Sequence, residues 1–139
     1  MTTIHAHTRI DFNARISVGP GKISLLESIQ RTHSLSESAR SLGMSYRRAW
    51  LLVHNVNQSF TEPAVTFTVG GKDGGGASVT PFGEQLIRVY RQFERKLAAL
   101  AAVVFKPIIP QLSSPAKATR QAHAPRSLVK VTRRRSGGV

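Results

Sequence analysis

Residues 34–58, SLSESARSLGMSYRRAWLLVHNVNQ, have the pattern of two helices joined by a tight turn. Ser34 and Glu37 have the spacing of a capping box, which begins a helix. Gly43 is expected to end that helix, because glycine adopts the left-handed conformation without steric cost. Ser45 then offers its hydroxyl as the N-cap of a second helix. This stretch therefore predicts a compact helical pair.

The second helix is predicted from Tyr46 to about Gln58. Its apolar residues recur at helical spacing on one side: Ala49, Leu52, Val53, Val56 and Phe60. The other side carries Arg47, His54 and Gln58, with Arg48 and Asn55 at its margins. Three further features are typical of a helix-turn-helix: the small Ala39 on the same face as Leu42, the glycine turn, and Met44 filling the corner. The second helix of such a motif enters the DNA major groove. An ordinary helical hairpin with solvated arginines is the alternative.

Composition favours a polyanionic partner. The 139 residues carry 20 Lys and Arg against 7 Asp and Glu, a formal charge of +13 and a pI near 11.6. Nucleic acid is the first candidate and an anionic membrane the second. The longest apolar run, Leu97 to Phe105, is too short to cross a bilayer, and the N-terminus lacks a signal-peptide core. We therefore expect a cytoplasmic, nucleoid-associated protein that does not bind membranes.

The charge is unevenly distributed along the chain. All seven acidic residues lie at or before Glu94, whereas seven basic residues follow Lys106 among scattered prolines, serines and alanines. The segment after Lys106 has too little apolar surface to offset the entropy of ordering. We predict a DNA-binding domain over 1–106 and a disordered basic tail over 107–139, which either adds phosphate attraction or serves only solubility.

The segments on either side of the helical pair extend the domain. Arg9 to Val18 is expected to form one short strand, and Lys22 to about Arg31 a helix that completes a three-helix core. Ala64 to Val69 alternates like a half-buried strand, and the glycine-rich turn over 70–77 leads back to extended structure. Strand, turn and strand form a wing, so the predicted fold class is mainly α with a small β-hairpin wing. A Walker loop is disfavoured because Lys72 is followed by Asp73.

A long last helix is predicted from Thr80-Pro81, an N-cap followed by proline at the first position, to Phe105. Its apolar residues recur at steps of three and four: Phe82, Leu86, Val89, Tyr90, Phe93, Leu97, Leu100 and Val104. Such a helix overshoots a small core, and exposed apolar surface marks an interface. We predict a homodimer through Val89, Phe93, Leu97, Leu100 and Val104. Packing of the far half back onto its own chain is the alternative.

Four segments together resemble a known family: LGMSYRRAWLLV (42–53), SLSESA (34–39), GGKDGGGA (70–77) and VTPFG (79–83). They are similar to the N-terminal domain of ModE-type molybdate-responsive transcription regulators and, more distantly, to the LysR-type winged helix. The resemblance covers about Ile16 to Arg95. It implies a dimeric winged helix-turn-helix with a long C-terminal helix that binds operator DNA and controls genes for molybdate uptake or molybdoenzymes.

The chain also departs from that family. The molybdate-binding domains that follow in the family carry a SARN-type segment, and nothing after the long helix here matches it. We therefore do not expect this chain to bind molybdate. Either it regulates without an effector, or a partner supplies the signal.

The predicted DNA contacts fall into three groups. Tyr46 and Arg47 are expected to reach base edges, with Arg47 pairing to guanine O6 and N7. The remaining helix contacts to groove or phosphate are Arg48, His54, Asn55 and Gln58. Phosphate contacts are expected from Ser34, Ser36 and Ser45 at helix starts and from Lys72 on the wing. Trp50 is assigned to the core, and Leu51 either contacts a thymine methyl or packs under the wing.

Other functions are less well supported by the sequence. A sequence-tolerant nucleic-acid-coating protein driven by charge is the main alternative, and a winged helix used for protein contact is a third. We expect no enzyme, cofactor or metal site, because cysteine is absent, the acids show no paired spacing, and His5 and His7 lack further ligands.

Overall fold

The computed structural model describes residues 2–69 and 75–113. Four helices form the framework: α1 (Pro20–Thr32), α2 (Leu35–Ser41), α3 (Tyr46–Ser59) and α4 (Pro81–Val104). Two antiparallel hairpins accompany them: β1 (Ile10–Asp11) with β2 (Ser17–Val18), and β3 (Val65–Phe67) with β4 (Ala77–Val79). A helix-turn-helix followed directly by a hairpin is the winged helix-turn-helix arrangement, which confirms the predicted fold class.

The turn between α2 and α3 has the geometry that its sequence predicts. The Ser34 hydroxyl accepts a hydrogen bond from the Glu37 amide at 3.2 Å, and the Ser45 hydroxyl accepts one from the Arg48 amide at 3.1 Å. Gly43 has a φ of 66°, in the left-handed region that favours glycine. The three signals that separate the helices are therefore confirmed.

Two details of this motif differ from the prediction. The Ser34 amide donates to the Thr32 hydroxyl at 3.2 Å, so Glu37 does not complete the capping box from its side. Leu42, predicted to share a face with Ala39, instead caps the end of α2 and is exposed, while Met44 packs against the core as predicted. A residue at the cap has left the helical repeat, so periodicity no longer predicts which way it faces.

The N-terminal segment forms a hairpin, not the single strand predicted over Arg9 to Val18. Ile10 pairs with Val18 and Asp11 with Ser17. The Asn13 side-chain oxygen accepts the amides of Arg15 and Ile16, both at 2.9 Å, which closes the turn.

Helix α1 lies under the helix-turn-helix and begins at Pro20, earlier than the predicted Lys22. Proline fits the first helical position, since its missing amide would have no partner there. The core consists of apolar residues from every helix and both hairpins: Val18, Ile23, Leu25, Leu26, Ile29, Leu35, Ala39, Ala49, Val53, Val56, Ala64, Val65, Ala77, Ile87 and Tyr90. The predicted three-helix core of α1, α2 and α3 is present, and α4 and both hairpins add residues to it.

The wing is anchored at its base. Strands β3 and β4 pair Val65 with Val79, and the Ala77 amide donates to the His33 carbonyl at 3.0 Å, just before α2. Of the three apolar residues predicted to alternate inward, Val65 is buried, whereas Phe67 and Val69 are exposed because the wing projects beyond the core that would cover them. The tip, residues 70–74 with the predicted contact Lys72, lies outside the described residues.

Helix α4 has a core face and a separate apolar stripe, where the sequence suggested one continuous stripe. Thr80 caps the helix by accepting the Gly83 amide at 3.0 Å, as predicted. The buried positions are Gly83, Ile87, Tyr90 and Glu94. The apolar stripe lies about a quarter turn away, because 100° per residue separates the two sets. Most residues from Ala98 to Val104 are exposed, so the described part of the chain does not show the alternative in which this half of the helix packs back.

A charged cluster joins α4 to α1 and to the N-terminal segment. Arg91 bridges the carboxylates of Glu27 and Glu94, His7 Nδ1 lies 3.1 Å from Glu94 Oε2, and the Tyr90 hydroxyl donates to the Thr8 carbonyl at 2.8 Å. Burial opposes ionisation of Glu94, but hydrogen bonds from Arg91 and His7 outweigh it and hold the pKa of that carboxyl below its ordinary value.

The chain divides into two units, Met1–Val104 and Phe105–Val139. The described part of the second contains a short 3-10 helix, Ile109–Gln111, within the segment predicted to be disordered. Residues 114–139 lie outside the described part, so the disordered basic tail and the boundary near residue 106 stay predictions. None of the described helices is long and apolar enough to span a membrane.

We expect Gly83→Ala to destabilise the domain by about 1–3 kcal/mol, the usual cost of overpacking. A Cβ at this position would lie 2.3 Å from the Ala64 carbonyl oxygen and 2.7 Å from a Val79 methyl. The measurement is urea unfolding of both proteins. Gly21→Ala is the matched control, because it meets nothing within 4 Å on a helix and should be neutral or stabilising. Equal effects of the two substitutions would show that the α4 start is not closely packed.

We expect the stability of the domain to depend on the charge of Glu94 below neutral pH. Because the folded-state pKa of Glu94 is depressed, its contribution is complete above the ordinary carboxyl pKa and is lost as the pH falls through the folded value. The Tm of the wild type should therefore drop more steeply with acidification than that of Glu94→Gln. Parallel Tm profiles would contradict this role of the Arg91–Glu94–His7 cluster.

Candidate nucleic-acid interface

Helix α3 presents a broad polar face to solvent. Tyr46, Arg47, Arg48, Trp50, Leu51, His54, Asn55 and Gln58 are all exposed on it. Neither the Arg47 nor the Arg48 guanidinium joins an ion pair within the described residues, and α3 contains no acidic residue. The arginine-bearing side of the helix is thus accessible and carries positive charge that no neighbour on the helix neutralises.

The assignment of Trp50 to the core is wrong. Its side chain is 43% exposed and stacks on His54, with ring centroids 4.9 Å apart and planes within 7°. At 100° per residue, Trp50 projects roughly 90° from the middle of the buried side formed by Ala49, Val53 and Val56. The two rings make a flat aromatic surface one turn beyond Arg47. The i, i+4 spacing of Trp50 and His54 was the available signal for this pair.

Asn55 is fixed by a lysine from α1. The Lys22 ammonium donates to Asn55 Oδ1 at 2.6 Å and to the Ser17 carbonyl at 2.8 Å. These two hydrogen bonds hold the Lys22 ammonium beside α3 and leave one of its three N–H donors unused by them. Burial, and then the positive charge of Arg9, lower the pKa of Lys22. The side-chain amide of Asn55, one of the predicted DNA contacts, is therefore oriented by Lys22.

One edge of α3 lies against the base of the wing. Tyr46 lines a surface depression together with Ser36 of α2 and with Phe67, Thr68 and Gly76 of the wing. The structure therefore brings the predicted contacts Tyr46 and Ser36 together beside the wing.

The opposite edge of α3 lies against the N-terminal hairpin. Arg48 and Leu51 line a second depression there with Arg9, Arg15 and Lys22. Leu51 is consequently on the hairpin side and not under the wing, one of the two positions considered for it. Sequence reasoning missed Arg9 and Arg15, since a single strand gives no reason to place them beside α3. Asn13, a common turn former between apolar residues, was the signal for the hairpin.

The predicted serine contacts are partly occupied. The hydroxyls of Ser34 and Ser45 already accept backbone amides as helix caps, so only their O–H groups remain to donate. Ser36 and Gln58 are exposed and form no side-chain hydrogen bond within the described ranges. The serine contacts stay predictions, since capping alone explains Ser34 and Ser45.

The predicted dimerisation residues share one exposed stripe of α4. Val89, Phe93, Leu100 and Val104 are exposed, and Leu97 is half-buried. Their spacing of four, four, three and four residues keeps them on one side of the helix. The stripe is continuous, apolar and uncovered by the unit that contains it.

Comparison with known proteins gives several related sequences. The chain is 45% identical over 83 residues to the molybdenum-pterin-binding protein MopB of Rhodobacter capsulatus, covering 60% of this chain and 31% of MopB. It is 42% identical over 76 residues to the transcriptional regulator ModE of Yersinia pestis and 38% identical over 76 residues to the DNA-binding transcriptional dual regulator ModE of Escherichia coli, in each case 55% of this chain and 29% of the other. The resemblance to ModE-type regulators is confirmed.

These matches concern a limited region. The chain spans about a third of the length of the proteins that it matches, and no protein-family model matches it. The names of the ModE-like proteins describe regulation and binding, which agrees with the prediction that this chain is not an enzyme. The structure also aligns with a mutant of MepR from S. aureus at a TM-score of 0.49 and 12% identity, covering 76% of this chain and 73% of that one. That alignment is too loose for a functional conclusion.

Proposed function

We propose that the chain is a sequence-specific DNA-binding transcription regulator that inserts α3 into the major groove. The observation that carries the proposal is that Arg47 and Arg48 are exposed on the outward face of that helix and form no ion pair with any described residue. A major groove about 12 Å wide admits an α-helix and displays a distinct hydrogen-bonding pattern for each base pair. Similarity to regulators named as DNA-binding supports this reading.

Base recognition falls to the first turns of α3. Arg47 is free to pair bidentately with guanine O6 and N7, the commonest specific contact. Tyr46 precedes Arg47 on the helix and the Trp50–His54 stack follows it, and both supply aromatic surface to the same face. Gln58 and the oriented Asn55 extend the reading face along the groove.

Phosphate contacts fix the register of the helix on the duplex. We assign these to the hydroxyls of Ser34, Ser36 and Ser45 at the starts of α2 and α3, to Arg48, and to Lys72 on the wing. The formal charge of +13 adds attraction that does not depend on sequence.

The regulated genes are proposed from similarity. MopB is named for molybdenum-pterin binding, and the ModE of Azotobacter vinelandii, 31% identical over 93 residues, is named as a molybdenum transport protein. We propose that this chain controls molybdate-uptake or molybdoenzyme genes and works at the bacterial nucleoid. The chain either regulates without an effector or receives its signal from a partner, and selection with and without molybdate tests whether molybdate acts on this chain directly.

We expect selection of bound duplexes from a random pool to give a palindromic motif, unchanged by added molybdate. Arg47→Ala should cost about 1–3 kcal/mol on that motif and relax the preference at one position, because one guanine contact is lost. The measurement is repeated selection with the variant, followed by titration of the selected duplex.

Arg88→Ala is the matched control for Arg47→Ala. Arg88 is exposed on α4, and the residues that line the surface depression around it all belong to α4, away from α3. Its substitution removes one positive charge, as Arg47→Ala does. Equal losses on every duplex would make Arg47 a phosphate contact. A pool with no enriched motif would instead support the sequence-tolerant coating protein.

We further propose that two copies associate through the α4 stripe of Val89, Phe93, Leu97, Leu100 and Val104. A second copy suits this stripe because its three- and four-residue steps are those of helix pairs packed along their length. Two copies also present two recognition helices to the half-sites of a palindrome.

We expect sedimentation equilibrium of the full chain to give twice the 15.2 kDa monomer mass at micromolar concentration. Leu100→Glu should give monomers, because the charge would be buried without a partner. Ala99→Glu, also exposed but off the stripe, should remain dimeric. A monomeric wild type, or equal behaviour of the two variants, would overturn the interface.

A further inference from the structure

Four cationic side chains surround the depression between the N-terminal hairpin and α3. They are Arg9 and Arg15 of the hairpin segment, Lys22 of α1 and Arg48 of α3. The other described residues that line it are Ser17, Leu51, Leu52 and Asn55, so the lining contains no carboxylate. Such a concentration of positive charge around a concave surface is suited to an anion.

The cluster is held in place by the fold. The Lys22 ammonium donates to the Ser17 carbonyl and to Asn55 Oδ1, and pairing of β1 with β2 positions the hairpin. Arg9 donates to Asp11 at 2.7 Å, an exposed pair that neutralises one of the four charges. Arg15 and Arg48 form no ion pair in the described part of the chain. Two guanidinium groups thus remain available above a fixed ammonium.

The position of the cluster indicates which anion it meets. A helix seated in the major groove has a sugar-phosphate backbone along each of its two edges. The wing base adjoins the Tyr46 edge of α3, and the cluster adjoins the Arg48 edge. The two hairpins therefore face opposite backbones of the groove that α3 would occupy.

We propose that the N-terminal hairpin is a second phosphate-binding element, which holds the DNA backbone on the side of α3 opposite the wing. The inference rests on the proposed function and adds Arg9, Arg15 and Lys22 to the contacts. Burial and then the charge of Arg9 lower the pKa of Lys22, and a phosphate bound beside it would favour the charged ammonium. Contacts of this kind raise affinity and fix register but read no bases.

Arg15→Gln in the full chain tests the hairpin. No hydrogen bond of the Arg15 side chain is seen among the described residues; its amide alone contacts Asn13, so the variant should keep the wild-type Tm. We expect equal weakening on the selected duplex and on an arbitrary duplex of about 30 base pairs, and a salt slope of log K smaller by about 1. In a phosphate-ethylation interference experiment on the selected duplex, the Arg15→Gln variant should lose interference on one backbone. The affected phosphates should lie next to the groove positions that are sensitive to Arg47→Ala.

Arg88→Gln is the charge-matched control and should leave the interference pattern unchanged. If Arg15→Gln keeps the wild-type slope and pattern while Arg47→Ala still relaxes specificity, the hairpin proposal fails and the regulator stands. If no duplex is bound, both proposals fail. Titration with inorganic phosphate tests whether the site instead binds a free oxyanion. Saturable phosphate binding that requires Arg15, together with no DNA contact at the hairpin, would overturn the inference.

Discussion

The structure depends on the apolar packing of α3 against α1. Ala49, Val53 and Val56 are almost completely buried against a helix that itself contributes Ile23, Leu26 and Ile29. With one side of α3 fixed in this way, helical geometry alone determines that Arg47 and Gln58 face solvent. Gly43 lies in the turn between α2 and α3, where its left-handed conformation lets the chain reverse direction between the two helices.

Much of this was predictable because the relevant signals are local. The caps at Ser34, Ser45 and Thr80, the left-handed Gly43 and the spacing of the α3 core residues each act within a few positions. The outward face of α3 follows from them, so the α3 residues predicted to contact DNA are exposed on that face, while the contacts themselves stay predictions. The exception on that helix is Trp50, which stands at the boundary of the stripe where a small rotation decides between burial and exposure.

The features that sequence reasoning missed are set by distant partners. Periodicity cannot tell which of two apolar sets on α4 meets the core, because both repeat every three or four residues; contact with α1 and the N-terminal segment selects Ile87 and Tyr90. The buried carboxylate of Glu94 is accepted only because Arg91 and His7 converge on it, the histidine from a position remote in the chain. The N-terminal hairpin likewise acquires its importance from Lys22 and Arg48, which its own sequence does not reveal.

The tie between Tyr90 and the Thr8 carbonyl has a geometric consequence. It connects the segment leading into the Arg9–Arg15 hairpin to the middle of α4. In a pair of chains joined along α4, the distance between the two hairpins would be fixed by the angle at which the long helices cross. The crossing angle would then set the half-site spacing that the dimer prefers. Substitutions along the α4 stripe would change that spacing without altering any residue that contacts a base.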